Sequence, residues 1–126
     1  MVEVIVTEKK QRVRREEGVR IVKKKHDFVC ANAGVDQSNV DGNFVTLLPI
    51  NPDSSAKVIQ QEIRKKTGKR VAIIISDTFG RPFRLGQTDN AIGVAGIEPI
   101  LNYEGKPDTF GKILNVTATA IVDELC

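Results

Sequence analysis

Acidic and hydroxyl side chains follow a strongly apolar segment in the middle of the chain. Val71–Ile75 contains five consecutive apolar residues, most of them β-branched, and this pattern predicts a strand buried on both faces. Ser76, Asp77 and Thr78 come directly after it, where we expect the strand to end. Carboxylate and hydroxyl oxygens are the ligands that hard cations such as magnesium and manganese prefer. The sequence therefore predicts a metal site at the end of this strand.

Two guanidinium groups follow within one short loop. Gly80 and Pro82 break the strand pattern, and Arg81 and Arg84 lie beside them. Guanidinium groups bind phosphate or carboxylate oxygens through paired hydrogen bonds. The alternative explanation of the preceding acidic and hydroxyl residues is that they cap a turn or a helix. The paired arginines favour a site for an anionic substrate, because such a loop has no structural need for two of them.

A second apolar segment leads to another carboxylate. Phe28–Ala31 predicts a short strand, and the polar loop after it contains Asp36 and Asn39. A separation of three residues places these two side chains on one side of a helical or 3₁₀ turn. Two strands that each lead to an aspartate are a common basis for a metal site in a sheet. We therefore expect Asp36 and Asp77 to contribute to the same site.

The order of these motifs resembles the coenzyme F-420-0:L-glutamate ligase family. Several ordered blocks of this length are far more specific than one short motif, and together they extend from about Gly18 to Cys126. The blocks are Cys30–Val40, Leu48-Pro49 with Asn51–Ala56, Ile74–Gln87, Ala91–Gly96, Pro99-Ile100 and Val122–Leu125.

The resemblance implies a defined reaction and a set of site residues. These ligases join L-glutamate to the lactyl-phosphate tail of the deazaflavin coenzyme F-420-0 and consume GTP, and the glutamate amine attacks an acyl-phosphate intermediate. The family pattern assigns metal ligands to Asp36, Asp77 and Thr78 and a nucleotide contact to Asn39. It also implies a divalent metal, manganese or magnesium, and potassium as a monovalent cation. A homodimer with the active groove near the subunit interface is expected as well.

Physical arguments about phosphoryl transfer agree with this assignment. Catalysis of that reaction consists mainly of positioning and charge neutralisation, and divalent ions that bridge phosphate oxygens supply much of the neutralisation. Asp36 and Asp77 are expected to hold such ions, with the Thr78 hydroxyl completing one shell. Arg81 and Arg84 are expected to bind phosphate or carboxylate groups of the substrates, and the residues alone do not divide these roles between them.

The resemblance covers only the central part of the family. It places a nucleotide-binding loop before Met1, and a further metal ligand and a phosphate-binding segment after Cys126. We therefore expect residues 1–126 to form a single contiguous fragment of the ligase domain. The alternative is a non-catalytic, truncated module that binds metal or nucleotide, or that only dimerises.

Composition and charge exclude several other classes of protein. The chain has 126 residues, 40% of them hydrophobic, and this length and apolar content are sufficient for a single core. Its formal net charge is +3. The cations of Lys9–Lys25 lack interleaved aromatic residues for base stacking, so a solvated face is favoured over a nucleic-acid surface. No apolar run is long enough to span a membrane, and no signal-peptide pattern is visible. We expect a cytoplasmic protein with small-molecule substrates, in which the two cysteines stay reduced.

The hydrophobic pattern predicts an α+β fold with a mixed sheet and few helices, part of the intertwined fold that the resemblance implies. Met1–Arg15 fits either a strand or one face of a helix, and the resemblance favours a helix at its start. Gly18–Val22 is predicted as a further strand.

Two helices are predicted in the second half of the chain. The first follows the turn Asn51–Asp53, with Asp53 or Ser54 as its N-cap and Gly68 as its left-handed stop. The second extends to the last residue with Thr117 as its N-cap. The buried stripe predicted for the first helix consists of Ala56, Ile59 and Ile63.

Overall fold

The computed structural model describes residues 2–16, 19–24, 28–38 and 40–126. The chain divides into two compact units: unit 1 contains residues 1–50 and 79–88, and unit 2 contains residues 51–78 and 89–126. Small sheets and few helices make up both units, which confirms the predicted mixed α+β class. That the chain is one contiguous fragment of a ligase domain stays a prediction.

Unit 1 begins with a helix followed by a three-stranded antiparallel sheet. Its central strand pairs with both neighbours, and Cys30 lies opposite Val22 in the register. Cys30 is buried and is not part of a disulfide, as predicted. The helix at the start confirms the prediction for that segment. The elements are α1 (Val2–Glu8), β1 (Lys9–Glu16), β2 (Val19–Lys24) and β3 (Val29–Ala31).

The core of unit 1 is a small aliphatic cluster. Ile5 from α1 and Val22 from β2 pack with Ala33 and Val35 from the turn after β3, and each is at most 5% exposed. Burying a large aliphatic side chain contributes about 1.5–3 kcal/mol. The cluster therefore fixes the backbone immediately before Asp36.

The long helix of unit 2, α2, spans Pro52–Thr67. Its N-cap is Asn51, whose Oδ1 accepts a hydrogen bond from the Ser54 N–H at 2.9 Å. The prediction of Asp53 or Ser54 as the cap is therefore wrong by two or three positions. The Asp53 carboxylate serves another purpose, because its Oδ1 accepts a hydrogen bond from the Val94 N–H at 2.8 Å.

The end of α2 and part of its buried face agree with the sequence. Gly68 ends the helix with a φ of 72°, in the left-handed conformation that was predicted. Ala56 is fully buried, but Ile59 is 45% exposed, so the predicted stripe is wrong there. The reason is a rotation of the helix. Its contacts are made on the face of Pro52 and Gln60, which lie four residues on either side of Ala56.

Strands β4 (Ile73–Gly80) and β5 (Gln87–Ala95) form a two-stranded sheet. The loop of residues 81–86 is too short for a parallel crossover, so the strands form a hairpin. Residues 73–75 are only half-buried, and β4 continues through Ser76–Thr78. The predictions of burial on both faces and of an earlier strand end are therefore wrong. A two-stranded sheet covers little of either strand, and alternating exposure accommodates the polar residues.

The chain ends with a short strand pair and one helical turn. The Thr117 carbonyl accepts a hydrogen bond from the Tyr103 N–H at 2.9 Å, so Thr117 extends the strand pairing. The predicted cap at Thr117 is therefore wrong, and the helix begins after Ala120. Among the described helices, none has the length and apolar character needed to cross a membrane. The elements are β6 (Leu101–Asn102), β7 (Ala118–Thr119) and α3 (Ile121–Glu124).

Candidate functional site

The segment before Asp36 has an unusual backbone conformation. Asn32, Ala33 and Gly34 are consecutive left-handed residues with φ values of 49°, 59° and 62°. This conformation costs about 1–2 kcal/mol for each residue with a Cβ, so surrounding contacts must hold it. Ala33 is completely buried, and a Cβ at Gly34 would lie 2.8 Å from the Leu48 Cδ1. The turn is therefore fixed by packing on both sides.

The Asp36 carboxylate is exposed and held by a neighbouring serine. Its backbone forms a two-way bridge with Thr46, with N···O distances of 3.2 and 2.8 Å. Its Oδ2 accepts from the Ser38 hydroxyl at 2.5 Å, and its Oδ1 accepts from the Ser38 N–H at 2.8 Å. These two hydrogen bonds hold the pKa of Asp36 below its ordinary value, and the bond from the Ser38 hydroxyl has the larger effect. Unit 1 thus presents an ionised carboxylate at a fixed position.

We expect Ser38→Ala to raise the pKa of the Asp36 carboxyl toward its ordinary value of 3.8. The Ser38 hydroxyl stabilises the ionised form of the Asp36 carboxyl, so its removal favours the protonated form. A lowered pKa stabilises the folded chain above pH 3.8, and this contribution is lost as the pH falls through the lowered value. An NMR titration of the carboxyl carbon measures the change. Ser54→Ala, in unit 2, is the control, and an unchanged titration in Ser38→Ala contradicts the assignment.

Asp77 and Thr78 point to opposite faces of the second hairpin. Successive side chains of a strand alternate, and Asp77 is half-buried whereas Thr78 is exposed. The Thr78 hydroxyl donates to Oδ1 of Asp89 on β5 at 2.6 Å. Sequence reasoning missed Asp89, although one signal was available, because Thr78 and Asp89 are equally far from the loop that joins the strands. The structure thus pairs Thr78 with Asp89 rather than with Asp77.

A further carboxylate lies beside the same hairpin within unit 2. Oδ1 of Asp123, from α3, accepts a hydrogen bond from the Ala91 N–H at 2.8 Å. The thiol of Cys126 donates to the Val122 carbonyl at 3.1 Å. Loss of hydration raises the pKa of this thiol, the Asp123 carboxylate raises it further, and a hydrogen bond with Ser76 opposes both. The first turn after β7 therefore places acidic and polar groups near the middle of the hairpin.

The two guanidinium groups of the arginine loop, residues 81–86, differ in their hydrogen bonds. Arg81 donates from Nη2 to the carbonyl oxygen of Leu85, which closes the loop on itself. Phe83 has a φ of 60° and Gly86 a φ of 84°, so the chain reverses through two left-handed residues. Arg84 has no hydrogen bond or ion pair within the part of the chain that the structure describes. Arg81 thus shapes the loop, and Arg84 is available to an anion.

An aromatic contact connects the base of this loop to β3 within unit 1. The ring centroids of Phe28 and Phe79 are 6.1 Å apart, with an interplanar angle of 31°. Phe28 immediately precedes the strand that leads to Asp36, and Phe79 lies two residues before Arg81. Unit 1 therefore contains two of the segments that were predicted from the sequence to form a site. The contact between Phe28 and Phe79 joins these segments where each begins.

The predicted metal and nucleotide residues are distributed between the units. Asp36 belongs to unit 1, and Asp77 and Thr78 belong to unit 2. Asn39 lies outside the described residues. Among the described residues, no group of three or more histidine, cysteine or acidic side chains could hold a metal ion. The donor chemistry nevertheless suits a hard cation, since the side chains offer carboxylate and hydroxyl oxygens. The assignment of these ligands stays a prediction.

Comparison with known proteins gives consistent matches along the chain. A family model described as F420-0:Gamma-glutamyl ligase matches residues 1–126. Coenzyme F420:L-glutamate ligase of Methanocaldococcus jannaschii is 50% identical over 125 residues, which cover 99% of this chain and 50% of that protein. The protein of the same name from Methanothermobacter thermautotrophicus is 45% identical over the same shares of both chains. The one from Methanosarcina mazei is 49% identical over 96 residues, 76% of this chain and 38% of that protein. The chain thus spans about half the length of the first two relatives.

Proposed function

This chain belongs to the F420-0:gamma-glutamyl ligase family, and we propose that it forms part of an enzyme that joins L-glutamate to coenzyme F-420-0. The observation that supports this function is 50% identity to a coenzyme F420:L-glutamate ligase over 99% of the chain. The place of the reaction is the biosynthesis of coenzyme F-420. The second candidate function is a module without catalysis that binds metal or nucleotide or dimerises.

GTP is the proposed co-substrate, because amide formation requires an activated carboxyl group. The γ-phosphoryl group of GTP passes to the acceptor carboxylate, which gives an acyl phosphate and GDP. The amine of L-glutamate then attacks the acyl carbon, inorganic phosphate leaves with the bonding pair, and the amine gives up a proton. Asn39 is the proposed nucleotide contact. Arg84 is the proposed contact for a phosphate or carboxylate group, and Arg81 maintains the loop that presents it.

Manganese or magnesium is the proposed divalent metal, and potassium is the proposed monovalent cation. Asp36 and Asp77 would hold the divalent metal, which neutralises phosphate charge when bound. The hydrogen bonds from Ser38 support this role, because they hold the Asp36 carboxylate in place and lower its pKa. Thr78 is the weakest member of the proposed set, since its hydroxyl is already bonded to Asp89 at 2.6 Å.

We expect the 126-residue chain to form dimers or larger species in solution, in agreement with the homodimer that we propose. Phe110, Val116 and Leu125 in unit 2 are large apolar residues with exposed side chains. Exposed apolar surface of this kind promotes association. Multi-angle light scattering at several concentrations measures the mass. A monomer that also melts sharply would contradict this expectation and would indicate a self-sufficient small domain.

A ligation assay tests the proposed function directly. We expect no product from this chain alone, because its relatives are about twice as long and partial sites retain little rate. A chimera is the informative protein. In it, this chain replaces the matching half of the Methanocaldococcus jannaschii ligase. With GTP, L-glutamate, F-420-0 and manganese, it should yield a glutamylated product detectable by mass spectrometry.

The intact relative serves as the positive control. A folded chimera that forms no product under conditions where the relative is active overturns the proposed ligase function. If that chimera still binds manganese or GTP, the result favours the second candidate function. Product formed by the 126-residue chain alone would show that no further segment is required.

A further inference from the structure

Two adjoining cavities extend along one side of α2, entirely within unit 2. Their volumes are about 420 and 350 Å³, and they share Gln60 and Gly96 in their walls. We refer to the pair as the α2 groove. The residues that determine its charge and shape are Asp53, Lys57, Gln60, Arg64, Arg70 and Gly96.

The charge of the groove is predominantly positive. Lys57, Arg64 and Arg70 contribute three cations, and Asp53 is the single acidic residue in its walls. That carboxylate already accepts a hydrogen bond from the Val94 N–H at 2.8 Å. None of the three cations has a carboxylate partner among the described residues. A cleft lined by charge of one sign concentrates the electrostatic field and attracts ions of the opposite sign.

The walls of the groove are fixed in advance of any ligand. The Gln60 Nε2 donates to the carbonyl oxygen of Val71 at 2.7 Å, which ties the helix to the segment before β4. Gly96 has a φ of 76°, and a Cβ there would lie 2.0 Å from the Gln60 Nε2. Only glycine fits at this position with the amide in place. The shape of the groove therefore depends on close packing around Gln60.

The spacing of the cations selects the kind of anion. Lys57 and Arg64 are seven residues apart, so they lie on one face of α2, about 10 Å apart along its axis. Arg70 lies beyond the helix and lines the second cavity with Arg64. One small anion cannot contact cations at both ends of such a groove. A chain with several acidic groups can reach all of them.

We propose that the α2 groove binds an extended polyanion, a chain of carboxylate or phosphate groups, through Lys57, Arg64 and Arg70. None of these residues belongs to the set assigned to metal, nucleotide or substrate binding above, so the groove is built from different residues. The two arginines suit either class of oxygen, because guanidinium groups bind both in paired hydrogen bonds. A nucleotide phosphate chain and a glutamate-bearing product are the two sources of such an anion.

Isothermal titration calorimetry with the full 126-residue chain tests the proposal. The probes are inorganic tripolyphosphate and a linear triglutamate peptide, with acetate as a single-charge comparison. We expect at least one probe to bind, and we expect acetate not to. Arg64→Ala and Arg70→Ala should each weaken binding about tenfold, the usual effect of losing a charge-assisted hydrogen bond.

A matched control separates a site from general attraction. Lys66→Ala removes the same charge from the same helix at a residue outside the groove, and its effect should be about twofold or less. Equal losses in Lys66→Ala and Arg64→Ala overturn the proposal, as does the absence of binding by both probes. Binding by tripolyphosphate alone identifies a phosphate chain as the ligand class, and binding by triglutamate alone identifies a carboxylate chain.

A second measurement needs no variant. NMR spectra of the wild-type chain, recorded during titration with the bound probe, should show the largest amide shifts at Gly96 and at the residues beside Gln60. Shifts confined to Lys9–Lys24 would place the probe on the basic strands of unit 1 and would overturn the proposal.

Discussion

The Asp36→Asn/Asp77→Asn double variant is expected to lose about 100-fold or more in manganese affinity, since changes even beyond the direct ligands cost 10–100-fold. The physical reason is charge. A carboxylate supplies a negative charge to the ion, whereas an amide supplies only a dipole. For the same reason Asp77→Asn should weaken manganese binding more than Thr78→Ala. The hydroxyl that Thr78→Ala removes is already bonded to Asp89 at 2.6 Å. Calorimetric titration with manganese measures all three variants.

The control for this experiment must remove the same charge from the same units. Asp41→Asn/Glu98→Gln does so at two exposed acidic residues, one in each unit. Its manganese affinity should remain close to that of the wild type. If the Asp36→Asn/Asp77→Asn variant binds manganese as tightly as the wild type, the assignment of these carboxylates to a metal is wrong.

Gly93→Ala is expected to destabilise unit 2 by about 2–4 kcal/mol, the cost of a severe steric conflict in a buried position. Gly93 is buried on β5, and a Cβ there would lie 2.4 Å from the carbonyl carbon of Pro52 and 2.5 Å from its Cβ. The conflict involves backbone, so no side-chain rotation relieves it. The first turn of α2 must instead move away from the strand. Urea unfolding followed by circular dichroism gives the free energy of unfolding.

Gly80→Ala is the matched control, because Gly80 ends β4 and a Cβ there meets nothing within 4 Å. Its free energy of unfolding should change by about 1 kcal/mol or less. Equal urea midpoints for Gly93→Ala and the wild type would show that α2 does not pack against β5 as described.

Local signals in the sequence were sufficient for part of the fold. Gly68 after a run of helical residues predicted a left-handed stop, and the stop is there. The short apolar segment around Cys30 predicted a buried strand residue, and Cys30 is buried. The position of the N-cap was missed, because Asn51, Asp53 and Ser54 are all good caps in isolation. Tertiary contact with the Val94 N–H decided between them.

The candidate site was predictable only where a single segment determines it. The sequence singled out Asp36, but not the hydrogen bonds from Ser38 that position its carboxylate and lower its pKa. The partner of Thr78 follows from its distance to the hairpin loop, but the bounds of that loop are known only from the structure. Two arginines in one loop look equivalent in a sequence, and only the folded loop shows that Arg81 bonds to its own backbone.

The two carboxylates that accept hydrogen bonds from β5 also bear on solubility. The N–H groups of Ala91 and Val94 are occupied by Asp123 and Asp53, from the two helices of unit 2. A two-stranded sheet has open edges, and a free edge N–H can pair with a strand of another molecule and start aggregation. Side-chain carboxylates prevent this pairing without requiring a third strand. Because Ala91 and Val94 are three residues apart, their N–H groups point to opposite edges of a regular strand, and the aspartate on the open edge is the one that opposes strand addition.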